Sequence, residues 1–246
     1  MDRSLYVAMS GASETLRAQT ANNHNLANAN TSGFKADLSA FQSRAVLGPG
    51  FASRVYSTDA SVGWDGSTGA LTATGQTLDI AIQGDGWIAV QAPDGSEGYT
   101  RAGDLHVDGS GALMTATGHP VMGDGGPITV PPYASISVGR DGTVSIVPAG
   151  QSASTTASVG RIKLVNPPAS QLKRGDDGLF RSATGSPAVS DATVSVTSGA
   201  LESSNVNVAD AMVHMIELSR RFDLQVKAMR TTEDDAAATS KLLSMS

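Results

Sequence analysis

No cysteine occurs anywhere in the 246 residues. That absence excludes a disulfide scaffold, a thiolate zinc site and a thiol nucleophile together. Aromatic residues make up only 4% of the chain, and its two Trp and four Tyr are too dispersed to form a base-stacking platform. A basic face is missing as well. The 17 Lys+Arg stand against 23 Asp+Glu, a net charge of −6, the wrong sign for a nucleic-acid partner. No stretch approaches the ~20 apolar residues that span a bilayer, so membrane insertion is not expected. The opening MDRSLYVAMSGASETL lacks the basic start and apolar run of a cleaved signal. It predicts a cytosolic protein, or one exported by a route that removes no signal.

Proline is absent from the two ends and glycine nearly so, with only Gly11 and Gly33 before Gly48 and none after Gly199. Of the 27 Gly, 25 lie between Gly48 and Gly199, and so do all ten Pro. Both residue types are expelled from helix interiors and collected by turns, so the chain reads as helix, long turn-rich middle, helix.

The flanks carry the matching period. Leu5, Met9, Ala12, Leu16, Gln19, Asn23 and Leu26 follow one another in steps of four and three. So do Val208, Met212, Met215, Ser219, Phe222, Val226 and Met229. This is the a/d row of a heptad rather than the wider stripe of a globular surface helix. Helices over 4–28 and 208–243 would be about 37 and 54 Å long at 1.5 Å per residue. Neither has enough apolar bulk to fold alone. The expected partners are each other, and then the same surface on another copy.

The middle reads as short strands between turns. Asp-Gly pairs begin at Asp65, Asp85, Asp94, Asp108, Asp124, Asp141 and Asp177, which predicts type I′ hairpin turns with positive φ at both central residues. Between them lie Leu78–Ile82, Trp87–Val90, Ile136–Val138, Thr143–Val147 and Arg161–Val165. Such runs indicate an all-β domain rather than βαβ units. The stretch 151–158 is expected to be an exposed loop, and Trp87 a core residue.

No catalytic constellation emerges. His24, His106, His119 and His214 show no HxxxH or HExxH spacing. The thirteen-residue interval between His106 and His119 is the one place where a two-histidine acid/base or metal site is imaginable. A hydrolase built there, or a secreted β-rich binding module spanning 48–199, are the competing classes. No G-x-S-x-G elbow, EF-hand loop or dinucleotide fingerprint occurs. No cofactor and no metal is expected, and no enzyme.

Several motifs in order along the chain carry a resemblance. Asn22-Asn-His-Asn-Leu-Ala-Asn-Ala-Asn-Thr-Ser-Gly-Phe-Lys35 resembles the asparagine-rich signature of the flagellar rod and hook family, with Asn25, Leu26, Ala27, Asn28, Thr31, Gly33 and Phe34 as matching positions. Gly33 would supply the positive φ that follows a helix, while His24 departs from the commoner residue there. Leu78-Asp-Ile-Ala-Ile-Gln-Gly-Asp-Gly-Trp87, Gly98-Tyr-Thr-Arg-Ala-Gly103, Gly118-His-Pro-Val121, Gly126-Pro-Ile128 and Ser198-Gly-Ala-Leu-Glu-Ser-Ser-Asn-Val-Asn-Val208 continue it. The opening, Arg174-Gly-Asp-Asp-Gly-Leu-Phe-Arg181, Arg220-Arg-Phe222 and the ending Leu242-Leu-Ser-Met-Ser246 resemble the proximal-rod branch, with the distal-rod branch the alternative.

The resemblance implies an α+β chain with a discontinuous coiled-coil domain from the paired terminal helices (1–40 with 200–246), a linker or extended arm (41–67) and a central all-β domain (68–199). It implies a structural subunit of the basal-body rod, crossing the periplasm and transmitting motor torque. Its partners would be other rod subunits, copies of itself and, in transit, the flagellar type III export apparatus. Leu5, Met9, Ala12, Leu16, Leu26, Val208, Met212, Met215, Phe222, Val226 and Met229 would be the subunit-packing residues.

Overall fold

The structure is a computed structural model that describes residues 4–45, 55–152 and 155–244. Two helices bracket the β region: α1, Ser4–Ala27, and α2, Val208–Ser244. Both ends fall within a residue or two of the expected limits. Asn207 starts α2, its side-chain oxygen accepting the N–H groups of Ala209 and Asp210, the usual satisfaction of orphan donors at a helix N-terminus. At the other end of α1, the Asn28 side-chain amide donates to the His24 carbonyl.

The chain divides into a helical unit (residues up to 29, 36–65 and from 206 onward) and a β unit (30–35 and 66–205). In the helical unit α1 and α2 pack against each other. Within 41–67, read as a linker or extended arm, the described residues 41–45 and 55–64 lie in an antiparallel pair of strands, Asp37–Ala45 with Val55–Trp64. Runs such as Val55-Tyr-Ser-Thr-Asp-Ala-Ser-Val62 lack a strict two-residue alternation, so they read as a polar tether. Gly48-Pro-Gly50, read as part of that linker, lies outside the described residues.

The β unit is built on a five-stranded antiparallel sheet containing Trp87–Gln91 and Glu97–Thr100 at its centre, with a three-stranded meander formed by Tyr133–Val138, Thr143–Pro148 and Ala157–Arg161. Smaller two-stranded ladders join Ile80–Gln83 to Ser195–Ser198 and Leu71–Ala73 to Ala200–Glu202. One core runs through it, including Ile80, Ile88, Val90, Leu113, Val121, Val144 and Val196, each fully buried. The strand expected over 161–165 is broken in two, Ala157–Arg161 and Leu164–Val165, because the chain passes from the meander to the central sheet there.

The turns form by a different route from the one expected. Among the described residues no non-glycine residue has positive φ, so the Asp-Gly pairs are not type I′ turns. Asp94, Asp108, Asp141 and Asp177 instead accept the N–H two residues on, at Ser96, Ser110, Thr143 and Leu179. These are aspartate side-chain turns, and of the glycines in these four pairs Gly95, Gly142 and Gly178 take positive φ. The hydroxyls of Ser96, Ser110 and Thr143 hold their aspartates below the usual carboxylate range, and the Arg181 guanidinium does so for Asp177.

A depressed folded-state pKa gives stability that is present above the unfolded value, about 3.9, and lost as pH falls through the lower folded value. The triple variant Asp94→Asn, Asp108→Asn, Asp141→Asn keeps an acceptor oxygen in each turn but removes the titrating charge. It should melt below the wild type at pH 7 and lose less Tm on acidification below about pH 4; an undiminished acid slope in thermal melts would refute this account of the turns.

Candidate functional site: helix faces and a buried ion cluster

In the helical unit, the faces of α1 and α2 that meet are not the rows of large apolar residues. Gly11, Thr15, Ala18 and Asn22 of α1 are buried, as are Ala211 and Leu218 of α2. Asn22 donates its side-chain amide to the Ala211 carbonyl at 2.8 Å, and Thr15 lies 3.4 Å from Gln225 Oε1. The pairing of 15 with 225 and 22 with 211 makes the helices antiparallel. A Cβ on Gly11 would come 2.8 Å from Gln225 Nε2, so the Gln225 side chain packs directly over this glycine. The seam has the expected four-three spacing, displaced by one residue from the predicted row.

That displacement leaves the predicted packing residues mostly on the outside. Of them, Ala12 is buried, while Leu26, Met215, Phe222, Val226 and Met229 are half-buried. Leu5, Met9, Leu16, Val208 and Met212 are exposed, and so are Tyr6, Val213, Ile216 and Leu224, which the period had not picked out. Small residues allow the two backbones to approach, and the bulky side chains flank the seam.

The asparagines of the signature have separate tasks. Asn22 joins the helices. Asn25 forms a two-way amide bridge with the backbone of Asp37, donating to its carbonyl at 2.9 Å and accepting its N–H at 2.7 Å. It thereby ties the start of the Asp37–Ala45 strand to α1 as a strand partner would. His24, the departure from the signature, lies 2.6 Å from the Asp37 carboxylate. Leu26 and Asn28 are half-buried, and Ala27 and Thr31 are exposed.

Gly33, Phe34 and Lys35 belong to the β unit, where a second constellation gathers the remaining motifs. The Glu202 carboxylate is 1% exposed; its Oε1 accepts from Lys35 Nζ at 2.7 Å and from the Gly69 N–H at 3.0 Å. Its Oε2 accepts from Arg101 Nη1 at 2.9 Å. Lys35 also donates to the Ser67 carbonyl and Arg101 to that of Gly84. Arg101 stands 5.6 Å over the Trp87 ring, which packs against Phe180 with centroids 4.5 Å apart. Arg174 then lies over Phe180 and, at 4.4 Å, over Phe34, the neighbour of Lys35. The contacts close on themselves. Gly33 has φ +64°, and a Cβ there would sit 2.2 Å from the Arg101 carbonyl carbon, so its place in the signature is both conformational and steric.

Sequence reasoning expected Gly33 to take positive φ and Trp87 to be core, and both do. It did not anticipate Lys35, Arg101 and Glu202 as a buried triad. The available signal was a single charged residue, Lys35, Arg101 or Glu202, in each of three otherwise uncharged motifs.

No cluster of three or more His, Asp or Glu suited to a metal occurs among the described residues. His106 is exposed, and His119 is bound through its backbone to Thr115. An open groove of about 480 Å³ in the β unit, lined by Pro168, Val189 and Asp191 among others, offers one carboxylate and no histidine. No described helix is long and apolar enough to cross a membrane.

These features define a protein whose organised residues hold chain segments together and present apolar helix faces. Comparison with known proteins agrees. Residues 5–35 match the family described as flagella basal body rod protein, 81–146 the flagellar hook protein FlgE/F/G D1 domain, and 197–242 the flagellar basal body rod FlgEFG protein C-terminal. Over the full length of both chains, the sequence is 46% identical to the flagellar basal-body rod protein FlgF of Escherichia coli (strain K12) and 43% identical to that of Salmonella typhimurium. It is 33% identical to the flagellar basal-body rod protein FlgG of Bacillus subtilis, covering 95% of this chain and 96% of that one. The chain belongs to the flagellar rod and hook family, as a structural protein of the basal-body rod.

The triad carries two cations and one anion, which sets an order among variants. Glu202→Gln removes the carboxylate charge that Lys35 and Arg101 share and should cost about 3–5 kcal/mol. Lys35→Met leaves the Arg101–Glu202 pair balanced and should cost less. Urea denaturation of both variants checks this, and a Lys35→Met variant less stable than Glu202→Gln would refute it.

Proposed function

We propose that this chain assembles with copies of itself and with other rod subunits through the apolar flanks of α1 and α2, building the axial core that carries motor torque across the periplasm. The position is the proximal rod. The full-length identity to the two FlgF proteins, higher than that to FlgG of Bacillus subtilis, supports this. Passage through the flagellar type III export apparatus, without removal of a signal, completes the reading.

The observation that carries it is the exposure of large apolar side chains beside a seam of small ones. Met9 is 55% exposed, Met212 52% and Ile216 56%, although the folded helix pair could have covered them by turning each helix through one residue. Such a surface marks a protein–protein contact, and each side chain of this size contributes roughly 1.5–3 kcal/mol when buried. Methionine at two of these positions suits packing against neighbours that are similar rather than identical. Hydrophobic burial on assembly, rather than within the subunit, is therefore the driving force.

Ile216→Asp and Leu16→Asp test this, because neither residue is needed by the seam. Each variant should keep the helicity and melting temperature of the wild-type subunit. Each should also leave cells non-motile, with basal bodies arrested before a complete rod under the electron microscope. Motile cells with normal rods would overturn the proposal.

A further inference from the structure

The four places where the chain passes between the two units are 29/30, 35/36, 65/66 and 205/206. On the β-unit side, every one of them runs into the Glu202 cluster within four residues. Gly33 donates its N–H to the Glu202 carbonyl at 2.7 Å, and Lys35 holds the Glu202 carboxylate. Ser67 accepts from both Lys35 and the Asn205 side chain. Asn205 in turn donates its own N–H to the Phe34 carbonyl, and Ser203 donates to that of Ala70. A Cβ on Gly69 would lie 1.9 Å from the Ser203 carbonyl oxygen, so these segments are in direct backbone contact.

We infer that this cluster is a collar that makes the ends of the β unit part of its own cooperative folding unit, so that opening of the helical unit stops at Gly33 and Asn205. Loop segments adjoining a helix end ordinarily fray with the helix. Here partial opening is penalised electrostatically. If the 198–205 segment left alone, the buried Arg101 guanidinium would lose the carboxylate it pairs with, an arrangement far more costly than the intact pair. If the 30–35 segment left alone, Gly33 and Lys35 would lose their acceptors, and Phe34 its contact with Arg174. The collar opens as a whole, with the sheet behind it. Chain segments on the two sides of each crossing can then differ in stability although they are adjacent in sequence. The inference concerns the isolated chain and stands apart from the rod assignment.

Hydrogen exchange of the full-length chain across a series of low urea concentrations tests it, read at the amides of Gly33, Gly69, Ser203 and Asn205. In the wild type these four should follow the urea dependence of the Trp87–Gln91 strand, while amides of α1 and α2 exchange through a separate, less protected opening. Glu202→Gln should speed exchange at the four amides by about tenfold or more and leave Trp87–Gln91 within about threefold. Lys35→Met, which keeps a balanced pair, should speed the same four amides by a smaller factor and serves if Glu202→Gln does not fold. Exchange of the four wild-type amides together with the helices would overturn the inference. So would equal acceleration of Trp87–Gln91 in the variants, or no acceleration at the four amides in Lys35→Met.

Discussion

One carboxylate, that of Glu202, holds together segments drawn from four distant parts of the chain. It sits almost fully buried between Lys35 and Arg101 and also accepts a backbone N–H from Gly69. A buried ion cluster seldom gives more stability than well-packed apolar residues would, because desolvation offsets the Coulombic gain. What it supplies is directional. A lysine, an arginine and a main-chain amide can meet both oxygens of one carboxylate in few ways, and Gly33 and Gly69 remove the Cβ atoms that would block the approach. The aromatic contacts of Trp87, Phe180 and Phe34 with two guanidinium groups extend the same cluster.

The helical unit solves a different problem. A rod subunit needs apolar surface to bind its neighbours, yet two isolated helices also need a reason to pair. The seam of Gly11, Thr15, Ala18 and Asn22 against Ala211 and Leu218 meets the second need with close backbone approach and one directed hydrogen bond from Asn22. It consumes little of the apolar bulk, which stays available on the flanks. Weak internal packing and a strong outer face follow from a single choice of which row turns inward.

Much of this was legible in the residue pattern, and the misses have physical causes. Helix limits followed from the expulsion of Gly and Pro, since both are penalised in any helix whatever it packs against. The heptad reading located the rows of largest apolar side chains, but a period does not say which row meets the partner in the same chain. In a single subunit that is decided by how closely backbones can approach, so the seam fell one residue away at Gly11, Thr15, Ala18 and Asn22. Asp94, Asp108, Asp141 and Asp177 marked turns of a type other than expected, because the aspartate side chain supplies the hydrogen bond that a left-handed backbone would otherwise have to arrange, while Asp65-Gly66 forms no turn. The pairing of Asp37–Ala45 with Val55–Trp64 was not read from the sequence because neither segment carries a strict two-residue alternation of apolar and polar residues.

The amino-acid sequence by itself determined the helix–β–helix order, the turn positions, the membership of a family and the absence of a catalytic motif, because each depends on local propensity or on residues close together in the chain. Only the tertiary structure decided that Lys35, Arg101 and Glu202 share one buried site, that residues 30–35 belong to the β unit, and that the bulky residues of α1 and α2 face outward. Those outcomes depend on which distant segments come into contact. The energy of a buried charge or an exposed methionine is set by its surroundings in space, which spacing along the chain does not contain.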